Sequence, residues 1–169
     1  MSNSSSVSSQ TVVKSVSEPE LWMGCFVCQE KCCNMEIAHP LFVTDQEMEQ
    51  IRSAHPDKAE QFNKTQLCPF LMDDGLCLIQ ESKPVDCRLF PFDIIKLDGK
   101  FYWIIRNINC LISCERLRFE DYLNGLEEKL IPGFSPYLDD YSSFRLDELC
   151  CKYSYEIIRE VRVNGKSVG

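Results

Sequence analysis

The sequence predicts a small single α+β domain in which a β-hairpin or small antiparallel sheet, several helices and cysteine-rich loops suited to metal ligation occur together. Three observations lead to this prediction. A two-residue turn motif separates two strand-like segments, a helix-capping motif precedes an amphipathic stretch, and 11 cysteines crowd mainly into irregular segments. With 169 residues and 44% hydrophobic content, the chain is large enough to build one modest core.

The clearest hairpin signal lies in DIIKLDGKFYWIIRN, residues 93–107. Asp98 and Gly99 supply the positive backbone angles that a two-residue turn needs, and β-branched or aromatic residues flank them on both sides. These two flanks are therefore expected to form the core of the sheet.

A second tight reversal is predicted at residues 73–75, where Asp-Asp-Gly separates two short apolar stretches. This reversal would place Cys68 and Cys77 on either side of one turn.

Helices are predicted first from capping signals. Thr44 and Glu47 have the spacing of a capping box, which predicts a helix from about Asp45 to Ala54. Pro56 suits the first turn of a further short helix that ends near Asn63, because its missing amide donor costs nothing there.

Apolar spacing predicts two more helices. One runs from Cys110 to about Leu130 and is broken by Pro132 and Gly133. The last runs from about Leu146 to Val163 and turns Leu149, Ile157, Ile158 and Val161 toward the core.

Composition divides the chain into a Ser-rich tail at residues 1–17, expected to be disordered, and one cysteine-cluster metal-binding domain at residues 18–169. The 26 acidic residues outnumber the 18 basic ones and no basic block exists, so no nucleic-acid partner is expected. Neither a secretory signal nor an apolar span is visible, so we expect no membrane partner and a cytoplasmic location.

The cysteines fit metal ligation better than a disulfide framework. Their number is odd, no export signal is present, and reducing cytosol keeps thiols unpaired. The vicinal pairs Cys32/Cys33 and Cys150/Cys151 add to this, since adjacent cysteines rarely bond to each other without strain.

The first candidate site is a run of four cysteines within nine positions. Cys25 and Cys28 have the two-residue gap that lets two thiolates hold one ion, and Cys32 and Cys33 follow after three further residues. Adjacent side chains point in different directions, which favours two metal centres or a cluster with a spare thiolate. The alternative is that one member of the pair is a small buried apolar residue.

The second candidate site consists of Cys68, Cys77 and Cys87, all placed on or near predicted turns. Prolines at 69, 84 and 91 stiffen the surrounding backbone, which suits a preformed site. Arg88 either offsets the negative charge of several thiolates or is a solvated surface arginine.

The ordered motifs CFVCQEKCC, FVTDQEM, CPFL, DDGLC and KPVDCRLFPF resemble the YkgJ-like cysteine-cluster family of zinc- or iron-chelating domains, over roughly residues 21–115. The resemblance implies metal ligation by nine cysteines: Cys25, Cys28, Cys32, Cys33, Cys68, Cys77, Cys87, Cys110 and Cys114. Two departures from the family pattern are present. Three residues instead of two precede the vicinal pair, and Lys83 replaces the arginine usual before proline.

One branch of this family is similar to flagellin lysine methylases, which are larger proteins with an iron–sulfur cluster. The resemblance therefore raises an enzyme hypothesis. The glycines are too dispersed for a GxGxxG nucleotide site, the cysteine spacing matches neither ferredoxin nor radical-type loops, and no catalytic triad is visible. Whether the chain is an enzyme stays open.

The expected function is therefore to hold iron, as ions or as an iron–sulfur cluster, or zinc through clustered thiolates, with the specific activity unknown. The alternatives are a structural zinc module that binds other proteins, and a metal storage or delivery protein. His39, Cys150 and Cys151 are weaker ligand candidates. The favoured interpretation is that His39 is an ordinary loop residue and that Cys150 and Cys151 are buried thiols of a helix.

Overall fold

We describe a computed structural model of the chain at residues 41–62, 68–107, 116–152, 154–163 and 165–168, without the side chains of 117 and 148–152. Elements are numbered in chain order within these residues. The predicted α+β class is confirmed, since the described residues form several helices and a small antiparallel sheet. No helix among the described residues is long and apolar enough to cross a membrane.

Helix α1 (Asp45–Ala54) has the predicted bounds. The Thr44 hydroxyl accepts from the Glu47 amide at 3.2 Å, and the Glu47 carboxylate accepts from the Thr44 amide at 2.9 Å, so both halves of the capping box are present. Helix α2 (Pro56–Ala59) begins at the predicted proline but ends earlier than Asn63.

The reversal predicted at residues 73–75 is confirmed. Gly75 has a φ of +78°, and the Met72 and Leu76 backbones are joined by a hydrogen bond of 2.9 Å. A 3₁₀ turn (Gln80–Ser82) leads from here to helix α3 (Val85–Leu89).

The predicted hairpin is also confirmed. Strands β1 (Phe92–Leu97) and β2 (Lys100–Arg106) pair antiparallel in continuous register. Asp98 and Gly99 join them with φ angles of +50° and +82°, which are the positive values expected at both positions of the turn.

A 3₁₀ turn (Arg116–Arg118) leads into helix α4 (Phe119–Lys129), followed by α5 (Ile131–Phe134) and α6 (Leu138–Lys152). The helix predicted from Cys110 to Leu130 is thus confirmed over its later part, while residues 108–115 lie outside the described residues. The predicted break after about Leu130 is present, since α4 ends at Lys129 and the separate helix α5 contains Pro132 and Gly133. A proline in the first turn of a helix loses no hydrogen bond.

The helix predicted from Leu146 to Val163 is confirmed as far as Lys152 and is wrong beyond it. Helix α6 ends at Lys152, and strand β3 (Tyr155–Glu160) follows and pairs antiparallel with β2, giving the order β1-β2-β3. The β-branched Ile157 and Ile158 favour a strand once a partner edge exists, and β2 offers that edge. Ile157 is 47% exposed and does not face a core as predicted, whereas Val161, beyond the strand, is fully buried.

Strands β4 (Arg162–Val163) and β5 (Lys166–Ser167) form a separate antiparallel pair. At the other side, α6 packs along β1, and the Ser142 hydroxyl accepts from the Lys96 amide at 2.6 Å. Among the described strands β1 lies at an edge of the sheet, and this contact covers part of that edge.

The described residues contain two main apolar cores. The larger joins one face of the sheet to α4, α5 and α6, and its most buried members include Leu89, Ile94, Trp103, Leu123, Ile131 and Tyr141. The smaller joins α1 and α2 to the reversal and consists of Ile51, Ala59, Phe62, Phe70 and Ile79. Cys68 and Cys77 of the second candidate site pack against this smaller core.

Candidate metal centre

Cys68 and Cys77 lie at the two ends of the tight reversal. Residues Leu71 and Cys77 form an isolated antiparallel bridge, and the Leu78 amide donates to the Phe70 carbonyl at 2.8 Å. The Cys68 carbonyl accepts from the Leu71 amide at 3.1 Å, which closes the turn that follows it. The backbone between the two cysteines is therefore held by several short-range hydrogen bonds.

Both cysteines are half-buried and pack against the same small core. Phe70, which lies between them in the sequence, is fully buried and contacts Phe62 with a ring separation of 5.4 Å. Burial of this aromatic ring fixes the reversal against α1 and α2. The two thiols thus belong to one local structure, as the sequence predicted.

Cys87 lies in the second turn-rich segment, on the short helix α3, and is also half-buried. The neighbouring Asp86 and Leu89 are both buried, at 4% and 0% exposure. These two residues face inward from α3.

Two long-range hydrogen bonds tie α3 to the segment at the start of α1. The Val85 amide donates to the Glu47 carboxylate at 2.6 Å, and the Phe42 amide donates to the Asp86 carboxylate at 2.8 Å. Glu47 therefore caps α1 and also satisfies an amide at the beginning of α3. The chain just before α1 is fixed next to the helix that carries Cys87.

The described residues do not by themselves form a complete metal site. Within them, no three His, Cys, Asp or Glu side chains are grouped in a way that could hold a metal ion. Six predicted ligands lie outside the described residues, as does His39: Cys25, Cys28, Cys32, Cys33, Cys110 and Cys114. Cys150 and Cys151 lie in α6, but their side chains are not described.

A buried set of charged side chains lies beside Cys87. Asp86 forms an ion pair with Arg145 of α6, and Asp93 of β1 forms an ion pair with Arg106 of β2 at 2.5 Å. Arg145 also lies 3.2 Å from the Asp93 carboxylate, so the two pairs are connected. All four side chains are at most 4% exposed, and their formal charges balance.

Tyr141 links the two carboxylates of this network. Its hydroxyl lies 2.6 Å from Asp93 and 3.1 Å from Asp86. Burial raises the pKa of Tyr141 well above its ordinary value of 10.0, and both carboxylates raise it further, so the phenol stays protonated and donates. Burial also raises the pKa of Asp86, while the charge of Arg145 opposes this rise.

This network was not predicted from the sequence. Asp86 and Arg145 are 59 positions apart, and no local pattern joins them. One part had a usable signal: the hairpin register pairs Asp93 with Ile104, which places Arg106 on the same face two residues further on. The position of the turn therefore indicates that Asp93 and Arg106 lie on one face of the hairpin, at the end opposite the turn.

Comparison with known protein families identifies the family of this chain. The family model CxxCxxCC, described as a putative zinc- or iron-chelating domain, matches residues 24–111, slightly more than half of the chain. No curated protein and no solved structure matches the chain. The matched range contains the three half-buried cysteines as well as α1, α3 and the hairpin, but not α6.

Proposed function

Since the chain belongs to the CxxCxxCC family of zinc- or iron-chelating domains, we propose that it binds its metal through clustered cysteine thiolates. The observation that best supports this proposal is the reversal that holds Cys68 and Cys77 beside one small core. Thiolates are soft ligands that suit zinc, iron and iron–sulfur clusters, so the donor set fits the metals named by the family.

The proposed ligands from the described residues are Cys68, Cys77 and Cys87. All three are half-buried, which limits access of water to bound metal while leaving room for an ion to enter. Because these side chains do not form a three-ligand group among themselves, other donors are required. The proposed further ligands are Cys25, Cys28, Cys32, Cys33, Cys110 and Cys114.

Chain length supports a contribution from the first cysteine run. Cys33 precedes Phe42 by nine residues, and an extended chain of that length spans at most about 30 Å. The Phe42 amide is bonded to Asp86, directly beside Cys87. The connection therefore begins beside Cys87, and its length allows the first cysteine run to fold back toward that residue.

Iron is the favoured metal because nine proposed thiolates exceed the four that one structural zinc uses. An iron–sulfur cluster held by thiolates would supply electron transfer when bound. We propose a reducing compartment such as the cytoplasm, since thiolate ligands persist there without forming disulfides.

Purification of the full chain without oxygen, followed by metal analysis and visible absorption, tests this proposal. We expect bound iron and absorption bands of iron–sulfur or iron–thiolate type. A colourless protein with stoichiometric zinc would contradict the choice of iron, but it would agree with metal binding by thiolates. A protein that retains no metal, and takes up none when zinc or iron is supplied under reducing conditions, would contradict the function itself.

A structural zinc site is the second candidate, and the small size of the core around Phe70 favours it. Within the described part of the chain that core has five buried residues, so a bound ion would add substantially to its stability. If zinc is structural, its removal by a chelator lowers the unfolding temperature and changes the circular dichroism. Unchanged unfolding of the metal-free protein would exclude this second candidate.

A further inference from the structure

Asp86 immediately precedes the proposed ligand Cys87, and its buried carboxylate belongs to the charged network with Arg145 and Asp93 described above. No residue of this network is a proposed metal ligand. We propose that Asp86, held by Arg145, is a positioning residue for the metal centre. It fixes the orientation of α3, and with it Cys87, relative to the chain segment that leads into α1. This inference rests on the proposed function.

Asp86 connects three parts of the chain through one side chain. Its carboxylate accepts from the Phe42 amide at 2.8 Å and from the Tyr141 hydroxyl at 3.1 Å, and it forms an ion pair with Arg145. The side chain is 2% exposed. Rotation of α3 would break these bonds in a place where water cannot replace them.

Helix α3 depends on such contacts for its orientation. It has five residues, which are too few for a stable isolated helix. Its N-cap residue, Pro84, has no side-chain group that could accept a hydrogen bond from the first turn. Its first amide is held by Glu47, and its inward face is held by Asp86 and Leu89. The direction in which Cys87 projects is therefore set by these tertiary bonds.

Stability alone is a weak explanation for the network. Replacing a buried ion pair by well-packed apolar side chains is often neutral or stabilising, because removal of charges from water is costly. The charged set instead fixes the orientation of α3, because Asp86 bonds the Phe42 amide ahead of α1 and also the side chains of Tyr141 and Arg145 on α6. Such a set favours one arrangement of the segments it joins.

The chain offers a matched control in Glu127 of α4. This carboxylate is also buried, forms an ion pair with Arg159 at 2.7 Å, and accepts from the Trp103 indole at 2.8 Å. It joins α4 to the sheet, and neither contains a proposed metal ligand. Loss of this charge should therefore destabilise the fold without acting on the metal centre.

The test compares cobalt(II) binding by the wild type, Asp86→Asn and Glu127→Gln, each prepared as the full metal-free chain under reducing conditions. Affinity is measured by competition with a chelator, and the visible spectrum at saturation reports the thiolate environment of the ion. We expect Asp86→Asn to lower the affinity by about 10- to 100-fold, the size of effect known for residues that orient ligands, and to change the spectrum. Glu127→Gln should keep both at wild-type values.

Arg145→Lys gives a second measurement if Asp86→Asn does not fold. It keeps a positive charge near Asp86 but loses the planar fork that also contacts Tyr141 and Asp93, so the affinity should fall in the same direction. Wild-type affinity and spectrum in the folded Asp86 or Arg145 variant would overturn the positioning role, and so would an equal loss in Glu127→Gln. A wild type that binds no metal would instead overturn the proposed function, and the positioning role with it.

Discussion

The carboxylate of Glu47 accepts hydrogen bonds from two helix starts, its own and that of α3, where the Val85 amide lies 2.6 Å away across 38 residues of sequence. The same side chain bonds the Thr44 amide and hydroxyl, each at 2.9 Å. Four N–H groups at the start of a helix have no partner within it, and Glu47 supplies acceptors at both starts. The capping box of α1 is therefore also a contact between α1 and the helix that carries Cys87.

We predict that Glu47→Ala lowers the free energy of unfolding by about 2 kcal/mol, because it removes a helix cap and leaves the Val85 amide without its acceptor. Urea denaturation of the full chain measures this loss. Glu49→Ala on the same helix is the control: Glu49 pairs with Arg52 in a highly exposed position, so its loss should cost less than about 0.5 kcal/mol. Equal losses in the two variants would contradict the double role of Glu47.

Glu127→Gln is predicted to lower the free energy of unfolding by about 3 kcal/mol, because Arg159 would keep a buried charge without its main partner. Glu128→Gln, at the exposed neighbouring position of α4, should change it by less than about 0.5 kcal/mol. Thermal or urea unfolding compares the two. A neutral effect of Glu127→Gln would show that the pair with Arg159 does not contribute to the fold.

Gly125→Ala is predicted to stabilise the protein by about 0.5–1 kcal/mol, because glycine is costly inside a helix and an added Cβ would meet nothing within 4 Å. Gly99→Ala is the contrasting variant. Its surroundings are equally open, but its φ of +82° is strained for alanine, so we expect a loss of about 1–2 kcal/mol. The same sign of effect in both variants would contradict the backbone conformations described for these positions.

The stability of the β3 end should depend on pH through Glu160. Hydrogen bonds from Lys100 and Ser167, each 2.6 Å long, hold the pKa of Glu160 below its ordinary value of 4.5. A lowered carboxyl pKa gives stability that is present above 4.5 and is lost as the pH falls through the lower folded value.

Glu160→Gln should therefore unfold at a lower temperature than the wild type above pH 5, and the difference should shrink as the pH is lowered below 4.5. Lys100→Met should reduce this pH-dependent difference, because it removes the first donor. A difference between the wild type and Glu160→Gln that is constant across pH would contradict the pairing.

The features that the sequence predicted well have their signals within a few residues. Thr44 and Glu47 defined α1 because both partners of the capping box are three residues apart. Asp98 and Gly99 defined the hairpin because a two-residue turn fixes the register of its strands. The reversal between Cys68 and Cys77 followed from similar turn chemistry.

The features that were missed depend on distant partners. Strand β3 was predicted as helix because its pairing partner, β2, lies about fifty residues earlier, and Ile157 and Ile158 fit helical spacing equally well when no partner is known. The ion pair between Asp86 and Arg145 likewise joins residues with no shared local pattern. At the candidate site, the cysteine spacing and the family resemblance predicted the ligands. The buried network beside Cys87 could be recognised only from the three-dimensional structure.

The metal content of a Cys68→Ser/Cys77→Ser variant tests the central claim most directly. Both cysteines flank one reversal against the same core, and serine keeps their size but is a poor ligand for soft metals. A Cys150→Ser/Cys151→Ser variant, altered in α6 beyond the family match, is the matched control. After purification without oxygen, we predict that the first variant loses most of the metal bound by the wild type and that the control keeps it. Wild-type metal content in the first variant would contradict a metal centre at this reversal.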